Sequence, residues 1–237
     1  MKRIAILLLL FFLSGQAHAS CVVLLHGLAR SNSSMEKLEK VLRQERFLTV
    51  NVDYPSTDFP VEILAEQAIP PALAQCAPDE DVNFVTHSMG GILVRQYLSD
   101  HEIPQLKRVV MLGPPNQGSE VVDKLKDVPG FYFINGAAGM QLGTGALSVP
   151  NRLGRAEFDV GIIAGTRSIN WILSLLIPGT DDGKVSIART RLEGMNDHLT
   201  MAVTHPFMMK NDKVIAQVVY YLKNGSFMRE GSDTVNK

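Results

Sequence analysis

Short apolar runs alternate with stretches of helical period along most of the chain. The runs predict β-strands at Cys21–Leu25, Leu48–Tyr54, Val82–Thr86, Arg108–Leu112, Phe158–Ala164 and Leu199–Thr204. Several are unbroken Val/Ile/Leu segments, the pattern of strands buried on both faces. Between them the spacing predicts helices over Met35–Arg46, Val61–Gln75, Met89–Ser99 and Glu120–Leu125, the second bent or broken at Pro70-Pro71. A last helix is predicted from Asp212 to Leu222, with Val214/Val218 and Ile215/Val219/Leu222 on its buried side and Asn224-Gly225 ending it. Alternation of this kind is the sign of βαβ units, so the expected class is α/β, a mostly parallel sheet with helices on both faces.

Two stretches stand outside that pattern. Val128 to Gly154 is rich in Gly with scattered apolar residues, and Ser168 to Asp182 holds Trp171-Ile172-Leu173 and Leu175-Leu176-Ile177. Each reads either as a cap over a pocket or as ordinary surface loop, since long connections in compact domains are disproportionately functional. Residues 226–237 read as a polar tail.

The chain opens with Lys2 and Arg3, ten unbroken apolar residues from Ile4 to Leu13, and Ala17-His18-Ala19. Charged start, apolar run and small-residue box together predict a signal peptide over residues 1–19 and a periplasmic or secreted protein. Ten residues fall well short of the roughly 20 that span a bilayer as a helix. Its removal takes two of the 23 basic residues and none of the 24 acidic ones, leaving a net charge of −3 on one expected domain, residues 20–225. So mild and mixed a balance argues against nucleic acid as a partner. No transmembrane segment is expected in the mature chain, and the pattern fixes no oligomeric state.

The sharpest local signal is Val82-Asn-Phe-Val-Thr-His-Ser-Met-Gly-Gly91. A strand runs into Ser88 and a helix follows at once, the layout of a nucleophile elbow. Gly90 suits a close helix–strand approach. Thr86 stands where the G-x-S-x-G pattern has its first Gly. The second signal is Val22-Val-Leu-Leu-His26-Gly27-Leu28, a buried strand ending in His-Gly. Backbone N–H groups after the first strand and after the nucleophile can face a developing oxyanion, which assigns that role to the amides of Leu28 and Met89.

With these blocks stand Pro114-Pro-Asn-Gln-Gly-Ser119, Asp182-Gly183-Lys-Val185 and His205-Pro-Phe-Met-Met209. In this order they resemble bacterial lipase-like α/β-hydrolases over nearly the whole mature chain. The resemblance implies an acyl-ester hydrolase with Ser, Asp and His in that chain order. The two strands that precede His-Gly in larger members are missing, so the implied sheet is the reduced form of about six strands.

A Ser nucleophile needs a base that titrates near neutrality, hence a His. His26 and His87 belong to the oxyanion loop and the elbow, and His101 follows a surface-like helix. His198 and His205 flank the last strand. Sites on parallel sheets lie at the carboxyl ends of strands, which favours His205 over His198. Asp159 stands at the wrong end of its strand. Of the pair Asp181-Asp182, the resemblance favours Asp182, directly before Gly, with Asp181 as the reserve.

Cys21 begins the first strand and Cys76 closes the helix leading to the strand of Ser88. In an oxidising compartment two Cys at the amino ends of neighbouring strands are expected to pair. Two buried thiols remain an alternative. So does lipidation of Cys21 as an outer-membrane lipoprotein, against which His18 stands where that cleavage box has Leu. The expected activity is hydrolysis of a small-molecule or lipid ester, with medium-to-long acyl chains preferred and neither cofactor nor metal. Thioesterase, amidase, acyltransferase and non-catalytic binding protein stay open as alternatives.

Overall fold

A computed structural model describes residues 20–229. The expected signal peptide, residues 1–19, and most of the expected tail, residues 230–237, lie outside the described residues. Six strands form one sheet: β1 (Cys21–Leu25), β2 (Leu48–Val52), β3 (Val82–His87), β4 (Leu106–Leu112), β5 (Val160–Gly165) and β6 (Asp197–Met201). Their order is β2-β1-β3-β4-β5-β6, and every pairing is parallel.

The unbroken apolar runs have a simple cause. Successive strand residues point to opposite faces, and both faces are covered. Val23, Leu25, Phe84, Val109, Met111 and Ile162 pack under α2 (Val61–Leu73) and α3 (Met89–Asp100). Val22, Leu24, Val85, Val110, Leu112 and Ile163 pack under α1 (Glu36–Gln44) and α9 (Asp212–Asn224). The chain leaves β1 toward β2 and returns past it to β3, so the carboxyl ends of β1 and β3 flank the point where the winding reverses. That is where open α/β sheets form their ligand crevice.

Of the expected bend or break at Pro70-Pro71, the break does not occur: helix α2 runs through both prolines. The two carbonyls that lose their donors belong to Glu66 and Gln67, both exposed, and the prolines fall in the last turns of the helix. The expected helix α4 (Glu120–Leu125) is present, and the Gly-rich stretch after it is more helical than its composition indicates, with α5 (Phe131–Met140) and α6 (Val149–Arg152). Helix α5 is kinked at Gly136, where φ is 59° and an added Cβ would lie 1.7 Å from the Thr57 carbonyl oxygen. Two further short helices are α7 (Trp171–Ser174) and α8 (Ile187–Thr190).

Strand β6 lies two to three residues earlier than expected. Among the described residues it pairs only with β5, and the chain turns where Met201 O accepts from Val203 N at 2.8 Å. The expected polar tail begins as packed structure. Phe227 is buried and its N–H donates to Asp197 Oδ2 at 2.8 Å.

At the amino end of the sheet Cys21 and Cys76 form a disulfide with Cα atoms 5.8 Å apart. Parallel pairing of Cys21 with Val82 brings the two together, because α2 ends just before β3. Among the described residues no helix is long and apolar enough to cross a membrane.

Candidate active site

Ser88 joins β3 to α3 with φ 53° and ψ −121°, a conformation a non-Gly side chain adopts only at a cost of about 1–3 kcal/mol. Its N–H donates to Leu112 O of β4 at 2.8 Å, and Gly91 N donates to its carbonyl at 3.1 Å. The glycines behind it permit this turn. A Cβ on Gly90 would stand 2.7 Å from Leu25 O, so α3 crosses β1 closer than any side chain allows. A Cβ on Gly91 would meet Thr86 Oγ1 at 3.2 Å. Room for Thr86 under the helix is therefore provided by Gly91, which accounts for the tolerated departure from G-x-S-x-G. The Thr86 hydroxyl is buried without a partner.

His205 sits four residues beyond β6 and is fastened at three points. Its Nδ1 and Asp182 Oδ2 are 2.7 Å apart, its N–H donates to Asp182 O at 3.0 Å, and its carbonyl lies 2.9 Å from His87 Nε2. Bonding to a carboxylate makes Nδ1 the protonated nitrogen and leaves Nε2 as an acceptor. Asp182 is fully buried, and its Oδ1 accepts from Lys184 N at 3.0 Å and Val185 N at 2.9 Å. Gly113, at φ 57°, leaves space for the pair, since a Cβ there would stand 3.0 Å from both Asp182 Oδ2 and His205 Nδ1. Ser88, Asp182, His205 and Leu28 all line one pocket of about 430 Å³.

No family model matches this sequence, and no curated protein matches it. Solved structures do. The mature form of Bacillus licheniformis lipase BlEst2 superposes with a TM-score of 0.61 at 18% identity, over 87% of this chain and 92% of that one. Phospholipase PlaB from Legionella pneumophila gives 0.61 at 18%, over 73% of this chain, which spans only 46% of that longer protein. A metagenomic carboxyl esterase gives 0.61 at 18%, over 80% of this chain and 65% of its own. The fold is that of the α/β-hydrolases.

Within this fold the remaining expected residues fall as follows. Leu28 and Met89 follow the exits of β1 and β3, and their N–H groups have no acceptor among the described residues. Asp181 is buried but turned elsewhere, its Oδ1 accepting from Ser174 Oγ at 2.8 Å and Gly183 N at 2.7 Å. His198 is the second residue of β6, its Nε2 2.9 Å from Thr190 Oγ1, and does not line the pocket. Among the described residues no group of three or more His, Cys, Asp or Glu side chains is arranged to hold a metal ion.

Sequence reasoning missed the supports. Tyr54 stacks on His26 with ring centres 4.0 Å apart, and its hydroxyl donates to His26 O at 2.5 Å, fixing the loop that carries Leu28. Ser56 Oγ accepts from Ala29 N at 3.0 Å. The block Pro114–Ser119 turns out to clamp the Asp182 loop: Ser119 Oγ donates to Lys184 O at 2.8 Å and Asn116 Nδ2 to Thr190 O at 2.9 Å. Burial, and after it the neighbouring His205, hold the His87 pKa well below the ordinary value, so this imidazole stays neutral with its Nδ1 unpartnered.

Proposed function

We propose that the protein is a serine hydrolase that cleaves carboxylic esters through an acyl-enzyme. The observation that carries the reading is the strained Ser88 sharing one pocket with the buried His205–Asp182 pair. His205 Nε2 takes the Ser88 Oγ proton as Oγ attacks the ester carbonyl carbon. The Leu28 and Met89 amides donate to the oxygen that becomes negative. The C–O bond to the alcohol then breaks, and His205 returns the proton to the departing oxygen. Water repeats the sequence on the acyl-enzyme, with His205 again as base, releasing the acid and restoring Ser88. Asp182 holds the His205 tautomer and stabilises its cationic form.

Ester rather than another acyl bond is favoured by the names of the similar structures, a lipase, a phospholipase and a carboxyl esterase. A medium-to-long acyl chain is favoured by the pocket wall, where Val122, Phe131, Ile134, Leu142 and Leu173 present carbon. A fluorophosphonate probe should label the protein at Ser88, located by peptide mass spectrometry, and the Ser88→Ala protein should be neither labelled nor active on p-nitrophenyl butyrate. Labelling elsewhere, or an active Ser88→Ala protein, sinks the reading.

A further inference from the structure

The pocket wall has a second character. Beside its apolar side chains stand Arg30, two residues past Leu28, and Lys184, two residues past Asp182. Both are exposed residues. Partial desolvation and then the Arg30 charge lower the Lys184 pKa while the Asp182 carboxylate raises it, and Arg30 acts in the lowering sense on His87 beside Ser88. Neither side chain makes a hydrogen bond or an ion pair among the described residues.

The carboxylates nearby each have other hydrogen-bond partners. Asp182 gives one oxygen to His205 and the other to two backbone N–H groups. Asp53 and Asp58 border Arg30 in the shallow groove outside the pocket. Asp53 accepts from Asn32 N at 3.1 Å and Asp58 from the Thr57 hydroxyl at 3.1 Å, and neither comes within ion-pair distance of Arg30. Two like charges on the wall of one largely apolar pocket repel, and an anion placed between them relieves that repulsion.

We propose that Arg30 and Lys184 form an anion subsite, so that the preferred substrate is an ester carrying a phosphodiester or carboxylate group on its alcohol side. The proposal rests on the ester-hydrolase reading above. The apolar wall takes the acyl chain, which leaves the alcohol portion, and the charge on it, for the cation pair. A planar guanidinium beside a compact ammonium matches an anion with two or more free oxygens.

The test compares dihexanoyl phosphatidylglycerol with neutral dihexanoylglycerol, both below the concentration at which they aggregate. The acyl chains and the scissile bond type are then the same, and no lipid surface is present. Wild-type protein should prefer the anionic ester in kcat/KM. In the Arg30→Gln/Lys184→Gln variant that anionic-to-neutral ratio should fall at least about tenfold, mainly through KM, and 0.5 M salt should erode the wild-type ratio. A ratio unchanged in the double variant overturns the proposal. So does a ratio that falls only with vesicles, which would make the pair a surface-docking feature.

Calorimetry on Ser88→Ala protein separates this from the catalytic reading. The anionic lipid should bind at least about tenfold more weakly when both cations are replaced. Inorganic phosphate accounting for all of the charge-dependent affinity would mean a free-anion site and overturn the substrate claim. A wild-type protein that hydrolyses no ester overturns the hydrolase reading alone, because the binding measurement still reads the cation pair.

Discussion

The two ends of the sheet are built to different ends. At the amino end the chain is cross-linked and ion-paired. Cys21 is bonded to Cys76, Lys107 pairs with Asp81, and Asp159 accepts from the Tyr221 hydroxyl at 2.5 Å with Arg108 Nε 3.5 Å away. At the carboxyl end of the same strands Ser88 holds a positive φ, Thr86 Oγ1 and His87 Nδ1 are buried without partners, and Arg30 and Lys184 share the pocket wall. Parallel pairing is what permits the division, since it gathers all the strand exits on one side. Strain is tolerable at one edge when the opposite edge and both faces over-determine the fold.

Activity should therefore be lost only by changes at the carboxyl end. Ser88→Ala and His205→Ala should each lower kcat by at least about ten-thousandfold, because such residues act as a unit. His198→Ala, at the amino end, should stay within about threefold by the same reasoning. Steady-state rates on p-nitrophenyl butyrate decide it, and a comparable loss at His198 would erase the distinction between the ends.

The adjacent aspartates sharpen the contrast within a single turn. Asp182→Asn should cost about a thousandfold or more in kcat, since an amide no longer holds the His205 tautomer. Asp181→Asn keeps an amide oxygen that can accept from Ser174 Oγ and Gly183 N and leaves the His205 bond, so a loss below about tenfold is expected. Equal losses would mean that turn integrity, not imidazole orientation, sets the rate.

Stability should respond the other way round. Cys76→Ser opens a loop of sequence separation 55, which on chain entropy corresponds to about 4 kcal/mol. Urea unfolding should show that loss while kcat of the folded variant holds, because the disulfide lies at the end of β1 remote from Ser88. Were kcat to fall with stability, the two ends would be coupled.

The parts legible in the sequence were those governed by local pattern. Unbroken apolar runs gave β1, β3 and β4 to within two residues, and the strand-end rule put His205 rather than His198 in the pocket of Ser88. Long-range bonds were not legible. Nothing local marks Tyr54 as the clamp of the His26 loop, or Ser119 as the clamp of the Asp182 loop, because the partners lie 28 and 65 residues apart. Gly136 hid α5, since its kink depends on close contact with Thr57. The edge strand β6 was misplaced because one neighbour and a half-exposed face leave a weak alternation to read.

The smallest effect expected is one of pH, and it again divides the two ends. Burial, and secondarily the Arg191 charge, lower the His198 pKa from 6.5 to about 4. The Thr190 hydroxyl donates to Ile187 O at 2.7 Å, so at the 2.9 Å contact His198 Nε2 must be the donor, in its neutral form. In the folded protein His198 therefore resists a proton that the unfolded chain accepts. Its contribution to stability is complete above pH 6.5, is lost as pH falls from 6.5 toward about 4, and changes no further below that. One such group contributes at most about 1.4 kcal/mol per pH unit, and partial exposure of His198 keeps it under that ceiling. His198→Gln keeps a donor for Thr190 but does not titrate. Its urea midpoint should decline less steeply than wild type between pH 6.5 and 4. The slope that remains includes that of His26 and His87, whose pKa values are also depressed by burial beside the site. Parallel curves for the two proteins would show that His198 titrates normally, and would confine the acid sensitivity of the buried histidines to the carboxyl end.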